Sequence, residues 1–422
     1  MAKKKKDPVT RFRTLMASAK DPHQYDAGVG GDIYDPLMSN IRGIRLPSLG
    51  MMNMLGFTAL RDSCTMLIDG GWGSSKSSLG IDVFNWGLPY GAGGGLLDCE
   101  NKGAFDIAHG MLNKITIWLP GHFVMRTCTS VEAAQTAITE LVNKCTKVNK
   151  DMPRDEHIPY IQVTDSLAGI SSDGTLKNVE GEGHSNRGHA GREEALLWST
   201  FMKTHQTQLH NVAMISVFIN HQKERAKKIG MHTINEKYNP GGVAQNYHAT
   251  IHLTCAKKKR QVSEAVDGIS YDEIKITCMK NSRGPTGKQI IVRKNSQRNE
   301  DGTTSFWWDW GGNTVDFLSS VSSAHPASKL INISVTKATR IGSCAEVGLT
   351  NVPISDIGDA IMADDELRTT LVKACRLYQL KEFTRFTPEE YTDLLEVAEQ
   401  AKQEYIAEQE KKVKRANEAT YG

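Results

Sequence analysis

The run at residues 70–77, GGWGSSKS, has the residue types and spacing that hold phosphate. Small residues let successive backbone N–H groups turn toward an anion, and the start of a following helix adds its partial positive charge. A lysine then reaches the β- and γ-phosphates of a nucleotide, and the next hydroxyl ligates magnesium. The pattern is G-x-x-x-x-G-K-[ST], with Ser75 in place of the second glycine. Gly70, Gly71, Trp72, Gly73, Ser74, Ser75, Lys76, Ser77 and Ser78 are therefore candidate nucleotide-binding residues, with Lys76 also catalytic and Ser77 a metal ligand. A Gly/Ser-rich turn that happens to contain a lysine is the alternative, and by itself the degenerate motif leaves the two evenly matched.

Three further positions weigh on that balance. Asp165 ends the apolar run IPYIQVTD and is followed by small residues, where a carboxylate would orient Mg²⁺ and its waters. A strand-ending Asp is otherwise a turn former or helix cap. Glu100 ends GGLLDCE, a strand expected beside the one that precedes the glycine loop, and could act as general base on an attacking water. His221 follows Asn220 at the end of AMISVFIN, where a polar pair could sense a γ-phosphate. Taken singly, Glu100 reads as a surface carboxylate and His221 as a structural histidine.

The elements that must position these residues alternate. Short apolar runs (TMLID, GGLLDCE, ITIWLP, IPYIQVTD, AMISVFIN) are separated by helix-length segments, of which VEAAQTAITELVNKC and EEALLWSTFMKTHQTQL are the clearest. Continuous apolar strands separated by helices predict an α/β fold with a mostly parallel central sheet covered on both faces. Beyond residue 242, IHLTC, EIKITCM, KQIIVRK and SFWWDW predict an antiparallel continuation. Trp307, Trp308 and Trp310 read as core or interface. Residues 1–50 read as a basic N-terminal arm or oligomerisation segment with helical potential at 8–19, and the Lys3–Lys6 run as its disordered end, docking on DNA or on a neighbouring copy being the alternatives. Residues 51–330 read as the core, and 331–422 as a largely helical C-terminal region ending in a solvated charged helix.

Two stretches break the rhythm. Residues 171–191 are rich in Gly, Ser, Asn and His, and residues 222–242 in Lys and Arg. With little to bury, both are expected to be mobile loops. The second carries Lys223, Arg225, Lys227, Lys228 and Lys237 before Gly241 and Gly242, enough for salt-dependent binding to a phosphate backbone; the first offers Arg187 and Arg192. A solvated charge run is the usual meaning of such a cluster. Net charge is only +3, from 51 basic and 48 acidic residues, so any nucleic-acid footprint must be local. The eight cysteines form no CxxC pair, which argues against zinc. No segment reaches the roughly 20 apolar residues of a membrane span, so no membrane partner and a cytoplasmic location are expected.

In this order the motifs resemble the RecA-type recombinases, and within them the phage UvsX branch. The similar segments are MMNMLGF, GGWGSSKS, LLDCE, QVTDSLAG, FINHQKE, GGVAQNYHATIHL and IKITCMKNSRGPTGK, covering roughly residues 46–317. The resemblance implies a RecA-like P-loop ATPase core, with Lys76 and Ser77 on the phosphates and magnesium, Glu100 as catalytic glutamate and Asp165 as the second acid. It implies that His221 couples the γ-phosphate to DNA binding and that 171–191 and 222–242 are DNA-binding loops. Lys280 and Arg283 would reach the ATP of a neighbouring subunit. ATP and Mg²⁺ are the implied cofactors. The implied partners are single-stranded DNA, homologous duplex DNA, further copies of the chain in a helical filament (host cytoplasm if phage-encoded), and single-strand-binding and mediator proteins. A RecA-fold hexameric helicase, or a DNA-coating protein with a decayed loop, are the alternatives; Ser75 is the support for the second.

Overall fold

The structure is a computed structural model that describes residues 43–61, 63–90, 92–100, 111, 123–152, 157–180, 187–209, 212–229, 232–240, 242, 244–261, 269–300, 302–322, 325–336 and 339–383. The chain divides into a body of residues Asn40–Leu380 and a second unit formed from its two ends. Residues 1–42 of the expected N-terminal arm (with its helix at 8–19 and Lys3–Lys6), the strand ITIWLP and the terminal charged helix lie outside the described residues; residues 43–50 of that arm belong to the body, with Ile44, Leu46 and Leu49 buried in its core.

In chain order the elements are β1 (Gly43–Arg45), α1 (Leu49–Leu55), β2 (Ala59–Arg61), β3 (Cys64–Gly70), α2 (Lys76–Gly87), β4 (Gly93–Asp98), β5 (Phe123–Thr127), α3 (Val131–Val148) and β6 (Tyr160–Asp165). There follow α4 (Asp173–Glu180), α5 (Arg187–Leu209), β7 (Met214–Ile219), β8 (Lys223–Ile229), β9 (His232–Tyr238), α6 (Ala244–His248), β10 (Ile251–Gln261), β11 (Ile269–Asn281), β12 (Gln289–Arg298) and β13 (Thr304–Trp308). The described chain ends with α7 (Trp310–Ser320), β14 (Ile333–Thr336), β15 (Ile341–Cys344), β16 (Leu349–Pro353), α8 (Ile354–Ala363) and α9 (Asp365–Phe383).

A nine-stranded sheet in the order β13-β12-β11-β10-β3-β7-β6-β4-β5 organises the α/β body. Strands β10, β3, β7, β6, β4 and β5 run parallel; β11, β12 and β13 continue antiparallel, as EIKITCM, KQIIVRK and SFWWDW predict, whereas IHLTC, expected to be antiparallel, forms β10 and runs parallel to β3. Every residue of β3 and of β7 is buried, which is why these strands read as unbroken apolar runs. Period-two geometry then splits their side chains between two cores. Met66, Ile68, Ile215, Val217 and Ile219 join one, packed with Leu79 and Val83 of α2. Leu67, Met214 and Phe218 join the other, packed with α3 and with Trp198 and Phe201 of α5. Each fully buried large apolar side chain contributes about 1.5–3 kcal/mol. Trp308 and Trp310 lie in the core, stacked on each other.

Helix α3 shows how the covering layer is specified. Val131, Ala134, Ile138, Leu141, Val142 and Cys145 recur at helical spacing and are buried. Ser130 Oγ caps the start by accepting from Ala133 N at 3.2 Å, and Lys147 sits in the last turn, where a cation favours the dipole.

Three further expectations need correction. The strand of Glu100 is not beside β3: β4 pairs with β6 and β5, and β7 and β6 stand between it and β3. Strand order is set by the crossover helices, and nothing in GGLLDCE carries it. The two stretches expected as mobile loops contain regular structure: α4 and the start of α5 in the first, the antiparallel hairpin β8–β9 in the second. Backbone pairing from Lys223↔Tyr238 to Ile229↔His232 orders the hairpin. The C-terminal region is not wholly helical; a three-stranded antiparallel sheet, β14-β15-β16, precedes α8 and α9. Its strands are of four and five residues and half exposed, too short to declare themselves by a run.

Candidate functional site

The carboxyl ends of β3, β7, β6 and β4 lie side by side, because these four parallel strands are in nearly matched register. Polar residues ending buried strands therefore gather along one edge, where open α/β sheets hold ligands.

The loop at 70–77 leaves β3 through Gly70, at φ 152°, where an added Cβ would stand 2.1 Å from Cys255 O. Only glycine fits there. Gly73 and Ser75 take left-handed conformations, at φ 69° and 62°. Ser75 is the N-cap of α2 and makes no side-chain cap bond, so it holds a conformation that glycine would take without strain. Inside the loop, Lys76 Nζ donates to Gly71 O at 2.7 Å, and Ser74 Oγ donates to the same carbonyl at 2.8 Å. Lys76 is buried, and that burial holds its ammonium below the usual lysine range against the pull of Asp165, Cys255, Glu100 and Asp69. A desolvated cation whose acceptors are a neutral carbonyl and hydroxyl gains strongly from an anion. The first-turn N–H groups of α2, from Lys76 to Ser78, have no partner within the helix and carry the positive end of its dipole. Trp72, flanked by Gly71 and Gly73, is 95% exposed.

Asp165 ends β6 with its carboxylate hydrogen-bonded by Ser77. Burial, with the nearby charge of Glu100, pushes the Asp165 carboxyl up to about 6; Ser77, His221 and Lys76 oppose that rise. The Asp165–Ser166 peptide bond is cis. Two hard oxygen donors in contact, a hydroxyl and a carboxylate, suit Mg²⁺ with phosphate oxygens and waters completing its shell. Among the described residues no group of three or more His, Cys, Asp and Glu side chains could hold a metal ion by itself.

Glu100 follows β4 and turns back under β6. Ser166 Oγ donates to its Oε1, and His221 Nε2 stands 2.8 Å from the same oxygen. Gly169 makes room for it: a Cβ there would meet Glu100 Cγ at 2.5 Å. Chain-distant Lys76, Ser77, Asp165, Glu100 and His221 are thus brought into one constellation, although β4 is not the neighbour of β3. Scanned against models of known protein families and against curated proteins, the chain matches none.

From His221 the chain passes directly into the hairpin. Asn220 Nδ2 donates to Pro240 O at 2.8 Å and to Gln245 Oε1 at 2.7 Å, and Gln245 Nε2 donates to Pro240 O at 2.6 Å and Gly242 O at 2.8 Å. Lys223 is exposed at the start of β8, and Arg192 is exposed on α5. The two basic segments adjoin: Gly242, at φ 82°, packs near Ala195 of α5, and Lys223 acts on the carboxyl of Glu194. The backbone of Arg187 begins α5, and that of Arg225, Lys227 and Lys228 lies in β8. Gly241 lies outside the described residues.

Lys280 and Arg283 are not brought to the loop of their own chain. Lys280 pairs with His252, which pairs with Leu67, three residues before Gly70. Its Nζ donates to the carbonyls of Asn246 and Tyr247. Arg283 lies beyond it, near Cys64 at the start of β3.

Asp69, the last side chain before the loop, was missed by the motif reading. It is 1% exposed and accepts from four side chains: Thr254 Oγ1 at 2.6 Å and Gln222 Nε2 at 3.2 Å on Oδ1, His252 Nε2 at 2.8 Å and Asn239 Nδ2 at 2.6 Å on Oδ2. Burial would raise its pKa, but the bonds from His252, Thr254 and Asn239 outweigh it and hold the carboxyl below its ordinary value. The available signal was a charge closing the otherwise apolar TMLID. Among the described residues no helix is long and apolar enough to cross a membrane.

Proposed function

We propose that this chain is a RecA-like P-loop ATPase that acts as a DNA recombinase, forming helical filaments on single-stranded DNA and pairing it with homologous duplex. The observation that carries the reading is the convergence of Lys76, Ser77, Asp165, Glu100 and His221 at one sheet edge, with the basic hairpin β8–β9 leaving directly from His221. The order of motifs over residues 46–317, similar to that of the recombinases, supports it.

In this reading the loop backbone and the first turn of α2 surround the phosphates of ATP, and Lys76 exchanges Gly71 O for phosphate oxygens. Ser77 and Asp165 hold Mg²⁺, which when bound supplies positive charge to the γ-phosphate. Glu100 takes a proton from the attacking water, and His221 reports the γ-phosphate to the hairpin. Lys223, Arg225, Lys227 and Lys228, with Arg187 and Arg192, bind the DNA backbone. Lys280 and Arg283, remote from their own loop, serve the ATP of the next copy.

Electron microscopy with single-stranded DNA and ATP tests this. Open helical filaments, lost in Lys76→Ala, are expected; closed rings would favour a hexameric helicase, and filaments that persist with ATP dependence in the variant would sink the assignment.

A further inference from the structure

Asp69 joins two parts of the molecule, β10 and the roots of the β8–β9 hairpin. Each of its carboxylate oxygens takes one donor from β10 (Thr254 or His252) and one from the hairpin (Gln222 or Asn239). Gln222 precedes Lys223 and Asn239 follows Tyr238, and Lys223↔Tyr238 is the first pair of the hairpin. Both roots of the hairpin are therefore tied to the single residue that precedes Gly70. Gln222 N also donates to Gly70 O at 3.0 Å, and Gly70 is packed against Cys255 O, so the start of the loop, Asp69 and the hairpin roots are mechanically continuous. Buried charge-assisted bonds of this kind fix geometry strongly, because water cannot replace a lost partner.

We propose that Asp69 is a positioning residue that transmits the state of the 70–77 loop to both strands of the β8–β9 hairpin, separately from His221. This rests on the nucleotide-binding reading of the loop. A ligand that shifts Gly70 must shift Asp69 with it. Because the carboxylate holds both roots, the hairpin moves as a unit; a single-root tie would let it fray. The substitution Asp69→Asn replaces one acceptor oxygen by an amide donor. Either the Thr254–Gln222 pair or the His252–Asn239 pair then loses its acceptor, and one root is released. Asn239→Leu releases one root while leaving the bonds from β10 in place.

Hydrogen exchange followed by mass spectrometry on the full chain, with and without a slowly hydrolysed ATP analogue and Mg²⁺, reads the coupling. In the unmodified protein, slowed exchange is expected both at 70–78 and at 223–238. In Asp69→Asn and Asn239→Leu the slowing at 70–78 persists and the nucleotide-dependent change at 223–238 is lost. A merely structural role would alter hairpin exchange equally with and without nucleotide, and that result overturns the proposal. So does a hairpin response in the variants equal to that of the unmodified protein, or protection of 70–78 in the unmodified protein without any change in the hairpin. Absence of protection at 70–78 in the unmodified protein instead removes the nucleotide reading, and this inference with it. Should Asp69→Asn not fold, Asn239→Leu decides.

Discussion

His221 Nε2 and Ser166 Oγ converge on one oxygen of Glu100, His221 at 2.8 Å. Both partners hold the Glu100 carboxylate in place through that one oxygen. A γ-phosphate that competes for His221 would release it. In the proposed reading the nucleotide sensor and the catalytic glutamate are in direct contact, so control of hydrolysis would need no longer path.

Glu100→Gln keeps the hydrogen bonds of the site but cannot accept the proton of water. Hydrolysis is expected to fall by about 10²–10⁴-fold, the usual contribution of a general base, with nucleotide affinity changed little. Steady-state hydrolysis together with a fluorescent-nucleotide titration checks this. Equal losses in both would make Glu100 a binding residue.

His221→Ala removes the contact that restrains Glu100. The ratio of hydrolysis rates with and without single-stranded DNA is expected to drop toward one. A ratio equal to that of the unmodified protein would show that the coupling does not run through His221.

Ser75 stands at φ 62° where the loop motif has glycine. A left-handed conformation costs a side-chain-bearing residue about 1–2 kcal/mol, and glycine loses about 0.5–1 kcal/mol more backbone entropy on folding. Ser75→Gly is therefore expected to stabilise the fold by about 0.5–1 kcal/mol, read as a raised denaturant midpoint at unchanged slope. A lowered midpoint would mean that Ser75 makes a compensating interaction.

Asp82 of α2 accepts from Trp86 Nε1 at 2.8 Å, Trp310 Nε1 at 2.7 Å and Asn85 Nδ2 at 3.0 Å, yet burial pushes its carboxyl from the ordinary 3.8 up to about 6, against those bonds. The folded state thus binds this proton more tightly than the unfolded chain. The charged form costs stability fully above pH 6, and the cost fades as pH falls from 6 toward 4. Asp82→Asn keeps an acceptor for both indoles, and its amide can donate to the otherwise unpartnered Asn85 Oδ1. At pH 8 the variant is expected to be more stable by about 1–3 kcal/mol, an advantage that shrinks at pH 4. Denaturant midpoints at the two pH values check this; a variant less stable at pH 8 contradicts it.

Much of the α/β body was legible because β3 and β7 are buried on both faces and declare themselves as apolar runs. Two of the polar residues at strand ends were legible in the same way: Asp165 closes the apolar run of β6, and His221 follows that of β7. The position of β4 was not, since the order of parallel strands depends on how the crossovers pack. The hairpin was hidden because its order comes from backbone pairing, which the charges of KERAKKI do not reveal. Asp69 was hidden because its partners lie 153 to 185 residues away. The short strands β14–β16 left too few residues for a pattern.

The central claim is that Lys76 and its partners form an ATPase switched by DNA, and hydrolysis with and without single-stranded DNA tests it most directly, with Lys76→Ala as blank. Loss of Lys76 removes charge-assisted bonds worth about 1.5–3 kcal/mol each, so its nucleotide affinity should fall by tenfold or more. The account predicts strong stimulation by single-stranded DNA in the unmodified protein and none in Lys76→Ala. A rate indifferent to DNA, or equal in the variant, would contradict it.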